Sequence, residues 1–180
     1  MDKVVIVEYN LQWPVLFTQE AATISNALDD TLVKRIEHFG STAVPGLAAK
    51  PIVDLLVEVR SLTEAQESVI QPLAALGYAY WSDNPDPERM FFVKGLPPNG
   101  PRTHHIHMVE ADSVLWERLT FRDYLRSHPA EAEQYLQLKS QLAAQFSTDR
   151  EAYTAGKTAF IQSMTQIAKQ WKASSMTVDA

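Results

Sequence analysis

Apolar and polar positions follow two rhythms along this chain, and the change between them falls near residue 112. Val4 to Val7 is a short β-branched run that reads as a strand or an extended arm. Leu16, Phe17, Glu20, Ala21, Ile24 and Leu28 recur at helical spacing, with Pro14 suited to a first turn. Arg35 to Phe39 predicts a strand ending at Gly40. Pro51 to Val59 is almost wholly apolar and predicts a buried strand with proline at its first position. A helix capped by Ser61 or Thr63 is expected to run to Leu76 and stop at Gly77. Tyr78 to Trp81, Arg89 to Lys94 and His104 to Glu110 read as strands, the last two paired across the loop GLPPNGPR. Beyond residue 112 the period becomes helical: Val114 to Arg126, Pro129 to Phe146 and Arg150 to Trp171, the last with Thr148 and Glu151 as a capping box.

Strands early and helices late predict an α+β fold, a mixed β-sheet with flanking helices and a helical C-terminal region. At 180 residues the chain suits one domain over 1–172, with a strand-rich core to about 112, a helical subdomain over 113–172, and a disordered tail over 173–180. Composition narrows the function. The net charge of -6 argues against a bulk nucleic-acid binder, and no apolar run is long enough to span a membrane. With no cysteine, thiolate zinc sites and cysteine nucleophiles are excluded, and a cytoplasmic setting is expected.

Three groups of residues carry candidate chemistry. In HFGSTAVPGLAAKPIVDLLVEV, Lys50 leads into a strand rather than a helix, so the stretch is not a Walker loop. Gly40-Ser41 after a strand instead suits a phosphate turn, and the returning strand carries Asp54. An aspartate in an apolar strand is either a hydrogen-bonded structural acid or a cation ligand. In RTHHIHMVE, His105 and His107 share one strand face beside Arg102. Such a pair can ligate a metal, bind an anion or move protons, unless it is simply exposed on an edge strand. Arg89 and Lys94 make this hairpin locally basic, which favours an anionic ligand. Lys139 and Lys157 interrupt apolar helical stripes that include Tyr135 and Tyr153, and each either snorkels outward or faces a cavity. Arg122 is a weaker candidate, beside Asp123. No Gly-x-Ser-x-Gly elbow or GxGxxG fingerprint occurs.

The segments EYNLQWPVLFTQE, EHFGSTAVPGLAAKPIVDLLVEV, RMFFVKG, RTHHIHMVE, WERLTFRDYLRSHP and AYTAGKTAFI together resemble the GrpB-like family of the nucleotidyltransferase fold superfamily. A similar module is appended to some bacterial dephospho-CoA kinases. The resemblance implies that Gly40, Ser41 and Thr42 hold phosphate and that Asp54 binds a divalent cation, Mg2+ or Mn2+, with His107. His105 is the candidate for acid/base work. The candidate phosphate and nucleotide ligands are His38, Lys50, Arg89, Lys94, Arg102, Arg122, Lys139, Tyr153 and Lys157. In that superfamily a second acid stands two residues from the first, but here those positions are Ile52 and Leu56. Glu58 shares the face at roughly 13 Å along the strand, and His105 or His107 stands where a later acid is expected. The implied activity is transfer of a nucleotidyl group from a nucleoside triphosphate to a small acceptor. The alternatives are metal-dependent phosphohydrolysis or phosphotransfer at the same pocket, and non-catalytic binding of a phosphorylated metabolite such as a nucleotide or coenzyme A precursor.

Overall fold

The computed structural model describes residues 3–96 and 100–176; Pro97, Pro98 and Asn99 of the expected hairpin loop and tail residues 177–180 lie outside them. The chain forms two compact units. One comprises Leu11–Phe39 and Ile52–Leu115, the other Met1–Asn10, Gly40–Pro51 and Trp116–Ala180. Among the described residues no helix is long and apolar enough to cross a membrane.

The first unit is built on a five-stranded mixed sheet in the order β1-β2-β5-β4-β3. The strands are β1 (Val33–Phe39), β2 (Val53–Val59), β3 (Tyr78–Tyr80), β4 (Met90–Lys94) and β5 (His104–Val109). Only β2 and β5 run parallel; the other neighbours are antiparallel. The α+β class read from the chain is therefore observed, as is the pairing of β4 with β5. Strand β2 begins two residues after Pro51, because proline has no N–H to donate; the first ladder donor is Val53, to Thr103 O at 2.9 Å. Leu55, Leu56, Val57, Phe92, Ile106 and Met108 are fully enclosed and form the sheet's core.

Helix α1 (Trp13–Ala27) packs on β1 and β2, with Pro14 in its first turn. It carries Glu20, buried, which accepts from Tyr78 Oη at 2.9 Å and Lys94 Nζ at 2.8 Å and so ties the helix to β3 and β4. The single helix expected between Ser61 and Leu76 is two, α2 (Leu62–Ser68) and α3 (Ile70–Ala75). Pro72 explains the break: it cannot donate to the carbonyl four residues back, and its ring crowds that carbonyl. Ser61 caps α2 as expected, accepting from Glu64 N. Gly95 has φ 77°, and a Cβ there would lie 2.1 Å from Pro101 O, so only glycine fits this end of the hairpin loop.

The second unit holds α4 (Glu117–Ser127), α5 (Pro129–Gln145), α6 (Arg150–Gly156) and α7 (Thr158–Met176). The expected last helix is thus divided at Lys157, and α7 runs beyond Ala173, where the tail was expected to begin. Phe121, Tyr124, Leu125, Tyr135 and Ala168 pack with Val44 and Leu47 in one apolar cluster, while Val4, Leu142 and Tyr153 form another. The extended arm is confirmed by Val4 N donating to Ser147 O and by a bridge between Val7 and Ala49.

The cap of α6 is Asp149, not Thr148: its carboxylate accepts from Ala152 N at 2.9 Å. Helix α6 begins at Arg150, so Asp149 holds the N-cap position and its side chain reaches the third helical N–H. Asp149→Ala is accordingly expected to lower stability by about 1 kcal/mol, and Thr148→Ala by no more than about 0.5 kcal/mol. Urea denaturation of the two variants checks this, and an equal loss from both contradicts the assignment.

Candidate functional site

The parallel ladder of β2 and β5 sets Asp54 opposite His105 and Leu56 opposite His107. Strand alternation then brings Asp54, His105 and His107 to one face. Asp54 Oδ1 lies 3.1 Å from His105 Nδ1 and 3.8 Å from His107 Nε2. One ligand-type atom from each residue lies within 4.8 Å of the others. Antiparallel β4 supplies the next layer, with Phe91 opposite His107. The Phe91 ring stands 5.1 Å from that of His105 and 4.8 Å from that of His107, and Phe39 meets His107 edge-on at 4.9 Å. Aromatic walls leave the polar atoms of the cluster to one another.

Arg89 closes the group. Its Nη1 is 3.3 Å from His107 Nδ1, and its Nη2 donates to Asn84 Oδ1 at 2.8 Å. A guanidinium only donates, so the contact makes Nδ1 of His107 the acceptor and puts that ring's proton on Nε2, toward Asp54. His105 likewise turns Nδ1 toward the carboxylate, which leaves its buried Nε2 without a hydrogen-bond partner. Burial works to raise the Asp54 pKa. The hydrogen bond from His105, the His107 imidazole close by and the charges of both outweigh it and hold the carboxyl well below the usual range. Burial, with Arg89 and His105 adding to it, lowers His107 to about 4 against the pull of Asp54.

One carboxylate and two imidazoles form a mixed N/O donor set that suits a single divalent transition ion. The separations are close to those of neighbouring ligands around one ion, and the orphaned His105 Nε2 shows that the metal-free hydrogen bonding is incomplete. The fit has a condition: coordination through His107 Nε2 requires that nitrogen to lose its proton and Nδ1 to gain one, so Arg89 must turn away. Asn84 and Asp86, the latter 3.7 Å from Arg89 Nε, are at hand to receive it. A second acid has no place here. Leu56 is wholly buried, and Glu58 pairs with Arg35 at 3.2 Å. Among the described residues no other cluster of histidine and acid groups of this kind occurs.

The remaining candidates are dispersed. In the sheet unit, His38 stacks on Phe17 with ring centres 4.7 Å apart, and Arg102 lies over Trp81. Lys94 lines a cavity of about 610 Å³ with Tyr78, Gly95 and Thr103, but its amine is held by Glu20. In the helical unit, Gly40 has φ 74° and opens a three-residue 3-10 turn over Ser41–Ala43. A turn that short has no helix dipole to offer a phosphate, although the Ser41 hydroxyl has no hydrogen-bond partner among the described residues. Arg126 donates twice to Ala43 O and fixes the turn. Arg122 pairs with Asp123 at 2.8 Å, as its sequence context suggests. Lys50, Lys139, Tyr153 and Lys157 do come together. Residue reading missed Asn84, Phe39 and Phe91, and it placed Arg89 in a strand that begins only at Met90; the two-residue spacing of Arg89 and Phe91 was the available signal.

A model of the GrpB protein family matches residues 3–167. The chain belongs to the GrpB family. Among its relatives are UPF0157 protein PA4798 of Pseudomonas aeruginosa, 46% identical over 87% of this chain and 64% of that protein, and UPF0157 protein YqkA of Bacillus subtilis, 41% identical over 94% and 48%. This GrpB-family chain thus spans about half to two thirds of the length of those two proteins. A dephospho-CoA kinase of Mycolicibacterium paratuberculosis is 29% identical over 76% of this chain and 39% of its own length. A crystal structure of conserved protein GrpB from Enterococcus faecalis superposes with TM-score 0.81 at 35% identity, covering 93% of this chain and 99% of that one.

The His107 environment has a measurable consequence in metal-free buffer. Its folded-state pKa of about 4 lies below the ordinary 6.5. The unfolded chain therefore takes up a proton between those values that the folded one refuses, and stability falls as pH drops through this window, by about 3 kcal/mol in all. Urea unfolding in EDTA at pH 6.5 and 4.5 should show the fall in the wild type and a flatter dependence in His107→Gln. Equal slopes for the two proteins would contradict it.

Proposed function

We propose that this chain carries out metal-dependent nucleotidyl transfer from a nucleoside triphosphate to a small acceptor, at Asp54, His105 and His107. The observation that carries the reading is the convergence of those three donors, within 4.8 Å of one another, next to the Arg89 guanidinium. A bound divalent ion, Mn2+ suiting the donor set better than Mg2+, would supply charge neutralisation at a phosphoryl oxygen. Asp54 holds both imidazoles in orientation. With Asp54 and His107 holding the ion, His105 is the residue left for acid/base work on an incoming hydroxyl or a departing phosphate oxygen. Arg89, released from His107, balances ligand charge. Phe39 and Phe91 exclude water from one side of the cluster.

A second reading, hydrolysis of a phosphate ester or anhydride, is favoured by one feature: buried Leu56 leaves no room for the second acid of a two-metal transferase. Phosphorylated coenzyme A precursors enter as candidate ligands because the kinase relative's name points to that substrate class.

Incubation with α-labelled triphosphates, Mn2+ and a metabolite extract separates the readings. Transfer predicts pyrophosphate release with label moved to an acceptor, and loss of both in Asp54→Asn. Orthophosphate alone would replace transfer by hydrolysis. Nucleotide-induced thermal stabilisation that persists in Asp54→Asn, with no turnover, would replace both by metal-independent binding.

Arg89 gives an independent test. Because its contact holds His107 in the tautomer that opposes coordination, Arg89→Met should bind Mn2+ about tenfold more tightly by calorimetry while turning over more slowly. Weaker Mn2+ binding in that variant would remove the tautomer argument.

A further inference from the structure

A row of aromatic side chains leads away from the Asp54 cluster across the sheet. Phe91 on β4 stands opposite His107, and Trp81, one residue past β3, donates its N–H to Phe91 O at 2.8 Å. Ala79 pairs with Val93 and Val93 with His105, so alternation puts Trp81 and Phe91 on the face that carries Asp54 and both imidazoles. Ring centres step 4.8 Å from His107 to Phe91 and 6.4 Å from Phe91 to Trp81. Trp81 ends the row at the sheet edge and is 40% exposed. Its surroundings are nevertheless ordered. Asn84 N donates to Trp81 O at 3.3 Å, and Asn84 Nδ2 donates to Asp86 O at 2.9 Å and to Arg89 O at 2.7 Å. One short turn thus fixes Trp81 at one end and, at the other, Arg89, the residue that meets His107.

We propose that Trp81, backed by Phe91, is the stacking platform for the base of a nucleotide whose phosphates lie at the Asp54 cluster. The inference rests on the nucleotide reading given above and adds to it the group that receives the base. Phe91 is tilted 52° to the indole, a contact that braces the ring without stacking on it. The exposed part of Trp81 is therefore π-surface that a planar base can cover, and such stacking is worth about 1–3 kcal/mol whichever base is present. Packing alone gives no reason for an open ring here. Phe92, the next residue along β4, turns to the other face and is fully enclosed.

Reach and charge agree with this occupant. Two strand spacings, about 10 Å, separate the backbone of Trp81 from that of His107, a gap that the sugar and first phosphates of a nucleotide bridge. The Arg102 guanidinium lies 5.5 Å from the Trp81 ring centre, and that of Arg89 lies 5.6 Å from the Phe91 ring centre. Guanidinium planes pack against aromatic side chains and bases alike, and their charge suits a ligand that carries phosphates. Because the backbone bond to Phe91 and the Asn84 turn hold the indole before a ligand arrives, little ordering is lost on binding.

The test is calorimetric titration of the full chain with the α,β-methylene analogue of ATP and with sodium tripolyphosphate, each with Mn2+ at matched ionic strength. The analogue is expected to bind at least tenfold more tightly than tripolyphosphate and to quench indole emission, which tripolyphosphate leaves unchanged. Trp81→Ala should weaken the analogue by about tenfold, abolish the quenching and leave tripolyphosphate binding as it was. Trp81→Phe, which keeps a ring, should stay within about threefold of the wild type. Equal affinity of the wild type for the two ligands, or undiminished analogue binding in Trp81→Ala, overturns the platform while leaving the reaction at Asp54 to its own assay. Equal weakening of both ligands in Trp81→Ala also overturns it and gives Trp81 a structural role. Binding of neither ligand to the wild type removes the nucleotide reading itself, and the platform with it.

Discussion

The parallel pairing of β2 with β5 is the contact on which the sheet unit's chemistry rests. Every other strand pair there is antiparallel, and this one ladder places Asp54 against His105 in register. A slip of one residue would send Asp54 and both imidazoles to opposite faces. The register is held by the fully buried Leu55, Leu56 and Val57 on one strand and Ile106 and Met108 on the other. The apolar residues that look like plain core thus decide which polar atoms meet. That is why Leu56 cannot be exchanged for the missing acid without loss: it belongs to the packing that fixes the register.

Within that frame a half-buried carboxylate is costly unless donors reach it. Two imidazoles reach it, and in the metal-free state both turn protons toward it. Arg89 enforces this for His107 because a guanidinium cannot accept. The same protons occupy the directions from which a cation would be coordinated, so a cation at His107 Nε2 and the Arg89 contact at Nδ1 would demand opposite tautomers of the ring. Asn84 and Asp86 give Arg89 somewhere else to go. The cluster is therefore closed by Arg89 at His107 and left open at His105 Nε2, with Asn84 and Asp86 able to hold the guanidinium if it turns.

Much of this was legible in the chain. The β-branched run around Asp54 and the His-x-His alternation predict both strands and the shared face, because strand parity follows from backbone geometry alone. The pairing of those strands is a tertiary fact, and neither segment carries a local signal for it. Where residue reading failed, a local detail usually decided. Pro72 splits a helix that the apolar period carries straight through, and Asp149 takes a cap that the Thr148–Glu151 spacing assigns elsewhere. Lys94 looked like a ligand cation because its strand is basic, yet Glu20, 74 residues away, claims it. Contacts of that range leave no trace in a window of sequence.

Lys139 shows the opposite limit. Its position on an apolar stripe was visible, but snorkelling and burial differ only in what surrounds the side chain, and the surroundings come from Ala48, Tyr135 and Tyr153. A buried ammonium whose neighbours are other ammonium groups contributes less to folding than a leucine of the same reach would. Stability alone gives no reason for lysine at that place. Its ammonium is met only by Ala48 O, and burial together with the charges of Lys157 and Lys50 lowers its pKa to about 7. The Asp54 cluster is likewise incomplete by itself, at His105 Nε2. Each unit thus buries a polar side chain that its neighbours among the described residues satisfy only in part.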